Sequence, residues 1–393
     1  MGVVKLPGVR WARGVALVAV FATLAGCSIF TPQQQEPPPP PPEPPKPQYA
    51  EPLSTHTFPF DPQTTAVVGT LQATIATHED TLPDIARRFN LGYDEVINAN
   101  PGVDPWLPKE GTRIVLPTQF VLPDAPREGL VVNLAALRMY YFPKPAQGEQ
   151  RVVVTVPIGI GMVGWATPEG ATKIVSKRKD PVWTPPASVR KEHAAEGDIL
   201  PARVPAGPDN PLGAFAMNLG WPSYLMHGTN KPAGVGMRAS HGCIRLYPED
   251  IATLFPQLPI GTKVTVVNQP LLYKVQDGQF YVQSFPPHEE HPEAKAAAKG
   301  QRFNKKVQEK MAQRAKSAAV TVDWALVEQV VNAAKGVAVP VTLPAVGLDQ
   351  FLASALLVEN RIPEGATWDG SDRPVPIREE AAAVAPVAAS GGR

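Results

Sequence analysis

Two short stretches collect the side chains that acyl transfer needs. Met226-His227-Gly228-Thr229 is followed, after a glycine-rich loop, by Ala239-Ser240-His241-Gly242-Cys243-Ile244-Arg245-Leu246. A free thiol with a pKa of about 8.5 is mostly protonated at neutral pH, so a nucleophilic cysteine needs an imidazole within hydrogen-bond reach. Two are available. His241 lies two residues before Cys243, and in an extended segment side chains at that separation share one face. His227 is sixteen residues upstream and can reach the sulfur from an adjacent strand. Gly242 lets a substrate carbonyl approach the backbone, where the amides of Gly242 and Cys243 can hold a developing oxyanion.

A cysteine beside a histidine is commonly inert, and two histidines with a cysteine can also be metal ligands. The chain has no Cys-x-x-Cys, no His-Glu-x-x-His and no fourth ligand in this loop, so neither metal nor cofactor is expected. His288-Glu289-Glu290-His291 has the wrong spacing for a zinc helix and sits among prolines, which reads as a surface loop.

The elements that must position these residues follow from composition. The chain has 393 residues, 44 % of them hydrophobic, enough for at least one sizeable core, and a net charge of +1, which argues against nucleic acid as a partner. Its 47 prolines are more than twice the roughly 5 % of ordinary globular chains, so much of the sequence is spacer. Between residues 130 and 270, short β-type runs (130–134, 138–142, 151–158, 171–176 and 263–267) alternate with Gly- and Pro-rich turns, predicting a β-rich domain. Residues 272–276 and 279–285 flank Asp277-Gly278, a hairpin signal, and look like a small appendage to that domain. A basic stretch at 294–316 reads as a solvated helix or arm. Residues 322–334 predict an amphipathic helix with Trp324, Leu326, Val327, Val330 and Val331 on its apolar side. Glu249 and Asp250 are expected to cap a helix starting near Pro248.

Upstream, residues 74–76, 81–89, 94–99 and 112–116 predict strand, helix, helix, strand, with Asn100-Pro101-Gly102 ending the second helix. Residues 31–52 are mostly Pro, Gln and Glu and predict a polyproline II spacer; at about 3.1 Å per residue, some twenty residues reach on the order of 60 Å. Before it, Lys5, Arg10 and Arg13 precede an uncharged run from Gly14 to Gly26, the layout of a secretory signal. Leu24-Ala25-Gly26-Cys27 resembles a bacterial lipobox, which implies a lipid anchor on Cys27; Ser28 after it implies the outer membrane of a Gram-negative cell.

Two further resemblances organise these readings. Ile85-Ala86-Arg87-Arg88-Phe89, Ile97-Asn98-Ala99-Asn100-Pro101 and Gly111-Thr112-Arg113-Ile114-Val115-Leu116-Pro117 resemble a LysM module, which implies binding to peptidoglycan glycan strands. His-Gly-Thr at 227–229 and Ser-His-Gly-Cys-Ile-Arg at 240–245 resemble the L,D-transpeptidase family with its YkuD-type catalytic domain. So do Pro157-Ile158-Gly159-Ile160-Gly161, Trp183-Thr184-Pro185-Pro186, Asn210-Pro211-Leu212-Gly213 and Ile260-Gly261-Thr262-Lys263-Val264. The resemblance is nearest to the periplasmic enzymes that attach the major outer-membrane lipoprotein to peptidoglycan. It implies an α+β chain whose β-rich catalytic domain is sandwich-like with mixed sheets.

The expected organisation is a lipoprotein signal at 1–27, linker at 28–70, LysM at 71–118, catalytic domain at 125–270, a C-terminal appendage at 271–360 and a disordered tail at 361–393. The resemblance also implies roles. Cys243 is the nucleophile, and His227 the base, oriented by a backbone carbonyl near Gly228. His241 lines the oxyanion side and steadies the thiolate, while Ser240 and Arg245 anchor the site. Gly228, Thr229 and Gly242 line the substrate or oxyanion. The substrate is a peptidoglycan stem peptide, and the acceptor a lipoprotein lysine or a diaminopimelate amine. A hydrolase on the same fold and a non-catalytic wall-binding lipoprotein are the alternative readings, the second opposed by the intact Cys243, His227 and His241.

Overall fold

The computed structural model describes residues 56–78, 80–288 and 303–361. Cys27 with its signal, residues 28–55 of the expected linker, residues 289–302 and the tail beyond 361 lie outside the described residues.

In chain order the first elements are β1 (Thr57–Pro59), β2 (Val67–Gly69), β3 (Gln72–Ile75), α1 (Leu82–Arg88), α2 (Tyr93–Ala99), β4 (Arg113–Leu116) and β5 (Gln119–Val121). The middle of the chain supplies β6 (Gly129–Asn133), β7 (Arg138–Phe142), β8 (Val152–Pro157), β9 (Ile160–Gly161), β10 (Gly170–Lys179), α3 (Ala187–Ala195), β11 (Phe215–Leu219) and β12 (Leu225–His227). It continues with β13 (Arg238–Ser240), β14 (Ile244–Arg245), α4 (Pro248–Gln257) and β15 (Lys263–Val267). The last part adds β16 (Leu271–Gln276), β17 (Gln279–Ser284), α5 (Lys305–Ser317), α6 (Trp324–Ala333), β18 (Ala338–Pro340), α7 (Leu348–Ala353) and β19 (Leu356–Leu357).

The chain is α+β. Nine strands join in one mixed sheet, ordered β1-β8-β7-β6-β15-β10-β11-β12-β14. β10 changes partner along its length: Gly170–Lys173 pair with β15, and after a register shift near Ile174 the rest pairs with β11. The sheet curls there, so that Leu130, Val132, Val156, Val264 and Val266 from one half share a core with Met217, Met226 and Ile244 from the other. Ile251 and Leu254 of α4 close that core, each burial contributing about 1.5–3 kcal/mol. The far end of this sheet, β12 and β14, carries His227 and the residues after Cys243.

Residues 72–116 fold as strand, helix, helix, strand. Thr81 caps α1, its Oγ1 accepting from the Asp84 amide at 3.2 Å, and Leu82, Ile85, Ala86 and Phe89 bury one helix face as the spacing predicts. Asn100 ends α2 and ties it to β4: its Nδ2 donates to the carbonyls of Val96 and Val115, both at 2.8 Å, and its Oδ1 accepts from the Val115 amide at 2.7 Å.

Three expectations are corrected. Residues 56–70 are not linker: β1 is an edge strand of the main sheet paired with β8, Phe58 and Phe60 are buried, and β2 pairs with β5. Two aromatics and a valine pair outweigh the prolines here, and Pro59 is tolerated because it lies at a sheet edge. The C-terminal part is more than an appendage of the catalytic domain. Leu71, Ala73, Ala99 and Val115 of the βααβ unit share one core with Phe280, Val282, Met311 and Val327, and β19 adds to β3 in parallel. Within α6, Trp324 is 41 % exposed, so the apolar face is Leu326, Val327, Val330 and Val331.

The carboxylates at the start of α4 also do something unexpected. Tyr247 is the N-cap and makes no side-chain cap, while Glu249 takes a two-pronged hydrogen bond from Arg87 of α1 at 2.9 and 3.1 Å. Asp250 accepts from Asn90 Nδ2 at 2.6 Å, and the Tyr247 hydroxyl donates to the Leu91 carbonyl at 3.0 Å. Both acids sit in the first turn, where the helix dipole favours them, yet their oxygens bind the βααβ unit.

Candidate active site

β12 and β14 are adjacent and parallel, with Met226 opposite Ile244 and His227 opposite Arg245. Met226 and Ile244 go into the core, so His227 and Arg245 stand on the other face, where Cys243, two residues before Arg245, also belongs by strand alternation. The three are electrostatically coupled: the charge of Arg245 acts on both His227 and Cys243.

His227 is 4 % exposed and its Nδ1 lies 2.6 Å from the Gly228 carbonyl. A carbonyl only accepts, so Nδ1 carries the proton and Nε2 keeps a lone pair. Burial first, then the neighbouring Arg245 cation, push the imidazole pKa down to about 4, against the Gly228 hydrogen bond that raises it. The ring is therefore neutral at physiological pH. The expected orientation by a carbonyl near Gly228 is the geometry present.

Cys243 is partly exposed, and its Sγ donates to the Ser223 carbonyl at 3.8 Å. Burial pushes the thiol pKa above its ordinary value, opposed by a backbone hydrogen bond from Leu225 and by Arg245. The resting pair is thus neutral thiol and neutral imidazole, not the standing thiolate that the motif suggested.

His241 is placed differently from expectation. The chain does not run extended from His241 to Cys243, because Gly242 adopts φ +97° and a side chain there would meet Tyr224 Cε1 at 2.8 Å. The imidazole instead pairs through Nε2 with Glu192 Oε2 of α3 at 3.0 Å, with the Trp165 ring edge-on at 4.9 Å. It is joined to the α3 segment rather than stacked on the same strand face as the sulfur.

The remaining residues hold the turn around Cys243. Ser240 Oγ donates to the Cys243 carbonyl at 2.6 Å, and the Gly159 and Arg245 backbones exchange hydrogen bonds at 2.8 and 2.9 Å. Thr229 Oγ1 accepts from the Lys231 amide at 2.9 Å, which makes it a loop-turn residue, and Gly228 donates its amide to Phe215. Arg245 Nε is buried and meets no acceptor among the described residues. Thr167, absent from the expected set, donates to the Gly242 carbonyl at 2.9 Å and accepts from the Gly161 amide at 3.1 Å. Neither Thr167 nor Glu192 sits in a recognisable motif, so only the fold brings them here.

Comparison with known proteins identifies the family. A family model of the L,D-transpeptidase catalytic domain matches residues 127–266. The chain is 45 % identical over 227 residues to the probable L,D-transpeptidase YcfS of Escherichia coli, covering 56 % of this chain and 70 % of that protein. It is 41 % identical over 239 residues to the probable L,D-transpeptidase YbiS of the same organism, covering 60 % and 76 %. Among solved structures, the catalytic domain of the Enterococcus faecium L,D-transpeptidase aligns with 37 % of this chain and 100 % of that one, at 23 % identity and a TM-score of 0.27.

Proposed function

Because the chain belongs to the L,D-transpeptidase family, acting on peptidoglycan, we propose that it transfers the acyl group of a tetrapeptide stem to an amine through a thioester on Cys243. His227 Nε2 removes the Sγ proton as sulfur attacks the carbonyl on the L-centre of the third stem residue. The amides of Gly242 and Cys243 receive the oxyanion. The terminal D-alanine then leaves as an amine, taking the proton back from His227. An incoming amine repeats the sequence in reverse, its proton passing to Nε2 and then to the sulfur. The observation that carries this reading is His227, its Nδ1 held on the Gly228 carbonyl so that Nε2 keeps a lone pair, on the strand paired with the one that follows Cys243.

Arg245 supplies the recognition element in this scheme. A buried guanidinium Nε without an acceptor is costly, and a carboxylate of the stem would satisfy it. The acceptor is a lysine of an outer-membrane lipoprotein, with a diaminopimelate amine, giving a 3-3 crosslink, as the other transfer product. The βααβ unit serves as a LysM module on glycan strands, and diacylation at Cys27 tethers the enzyme in the periplasm. Incubation with tetrapeptide muropeptides, with and without a peptide ending in lysine, tests the reaction class by mass spectrometry. Peptide-linked product is expected; a tripeptide alone would make the protein a carboxypeptidase, and unchanged stems would overturn the assignment.

A further inference from the structure

Segment 87–95 of the βααβ unit touches the nucleophile region on both sides. Downstream of Cys243, Arg87, Asn90 and Leu91 engage Glu249, Asp250 and Tyr247. Upstream, the amides of Tyr93 and Asp94 donate to the carbonyls of Val235 and Gly236, both at 3.1 Å. Those carbonyls lie in the middle of the excursion that leaves β12 after His227 and returns to β14 after Cys243. Gly236 is at φ +82°, and a side chain there would come within 2.2 Å of Gly92 Cα, so the two backbones meet with no room between them. Val235 is fully buried at this contact.

We propose that this segment is a positioning element for catalysis, setting the separation of His227 and Cys243 by holding both ends of the nucleophile segment. The inference rests on Cys243 being the nucleophile. It assigns to Tyr93 and Gly236 a part in turnover although neither side chain reaches the reacting atoms. A displacement of about 1 Å at such a site can cost 10²-fold in rate, so two amide hydrogen bonds are enough to matter.

Tyr93 offers a clean test because it is the first residue of α2, where proline is tolerated, and Gly92 already has the extended conformation that precedes proline. Tyr93→Pro deletes the amide donor and the ring; Tyr93→Ala deletes the ring alone. The saturating rate of Cys243 acylation by a carbapenem, followed by mass spectrometry, should fall about tenfold or more in Tyr93→Pro with little change in half-saturating concentration, while Tyr93→Ala stays within about twofold. The pH profile of iodoacetamide alkylation should move toward that of an ordinary thiol in the proline variant only. Equal rates for the two variants, whether both normal or both reduced, would overturn the proposal. Should Tyr93→Pro fail to fold, amide hydrogen exchange on the wild-type protein decides. Tyr93 and Asp94 amides as protected as that of Leu246 support the bracing role, and amides exchanging like exposed loop sites refute it. Neither readout depends on peptidoglycan transfer, so a failed muropeptide assay leaves this result separately interpretable.

Discussion

Two arginines of this chain, Arg138 buried and Arg245 partly buried, live in opposite circumstances. Arg138 of β7 gives Glu95 two hydrogen bonds at 2.7 and 2.8 Å, reaches the Asn90 carbonyl at 3.1 Å and Thr155 Oγ1 at 3.2 Å, and lies over the Phe120 ring at 4.2 Å. Arg245 of β14 has a buried Nε with no acceptor, beside a neutral thiol and a neutral imidazole. The first is saturated with partners and fastens the βααβ unit to the catalytic sheet. The second has a donor left over. Satisfied charge marks where this molecule is fixed, and the unsatisfied donor is the one that the proposed function assigns to a ligand.

The contrast can be broken most severely at Cys243, the proposed nucleophile. Cys243→Ala should abolish the carbapenem adduct completely while leaving the melting temperature within a few degrees, because Cys243 is partly exposed and closes no core. A surviving adduct would mean that another group is acylated. The next effect should appear in stability. Glu95→Ala strands the Arg138 guanidinium in the interior and should cost about 3–5 kcal/mol in denaturant titration. Arg87→Ala, at an ion pair whose side chains keep 15 % and 13 % exposure, should cost about 1 kcal/mol. Similar losses for both would show that Arg138 is not the fastening point.

The smallest effect concerns protons. His227 must be neutral to act, and its folded pKa of about 4 lies below the ordinary 6.5, so wild-type acylation should persist well below pH 6.5 and fail only near 4. Arg245→Gln removes one cause of that depression and should move the acid limb toward neutral, while raising the thiol pKa further. An acid limb at 6.5 in the wild type would sink this account. The same sign appears in stability: below 6.5 the unfolded chain binds a proton that folded His227 refuses, so this contribution, present above 6.5, fades as the pH falls toward 4.

How much of this was legible in the sequence depends on distance along the chain. The His-Gly-Thr and Ser-His-Gly-Cys-Ile-Arg stretches name their own chemistry, and the hairpin at Asp277-Gly278 and the capped α1 are local features that neighbouring residues specify. His241 was misplaced because a two-residue spacing implies a shared face only in extended backbone, and Gly242 bends it. Thr167 and Glu192 were invisible, since they enter the site from segments 75 and 49 residues away. Residues 56–70 were hidden by the proline-rich composition before them, which masks two short strands. Glu249 and Asp250 look like ordinary helix-start acids until α1 is placed opposite them.

β19 has a temporal consequence. The Thr74 hydroxyl donates to the carbonyl of Val358 across 284 residues, and Leu356 and Leu357 pair with Gln72 and Ala73. A chain made from its amino end therefore exposes one edge of β3 until residues 356–358 have arrived, and contacts of such long sequence separation form late. Cutting the chain after residue 355 would leave that early strand open to pairing with other molecules.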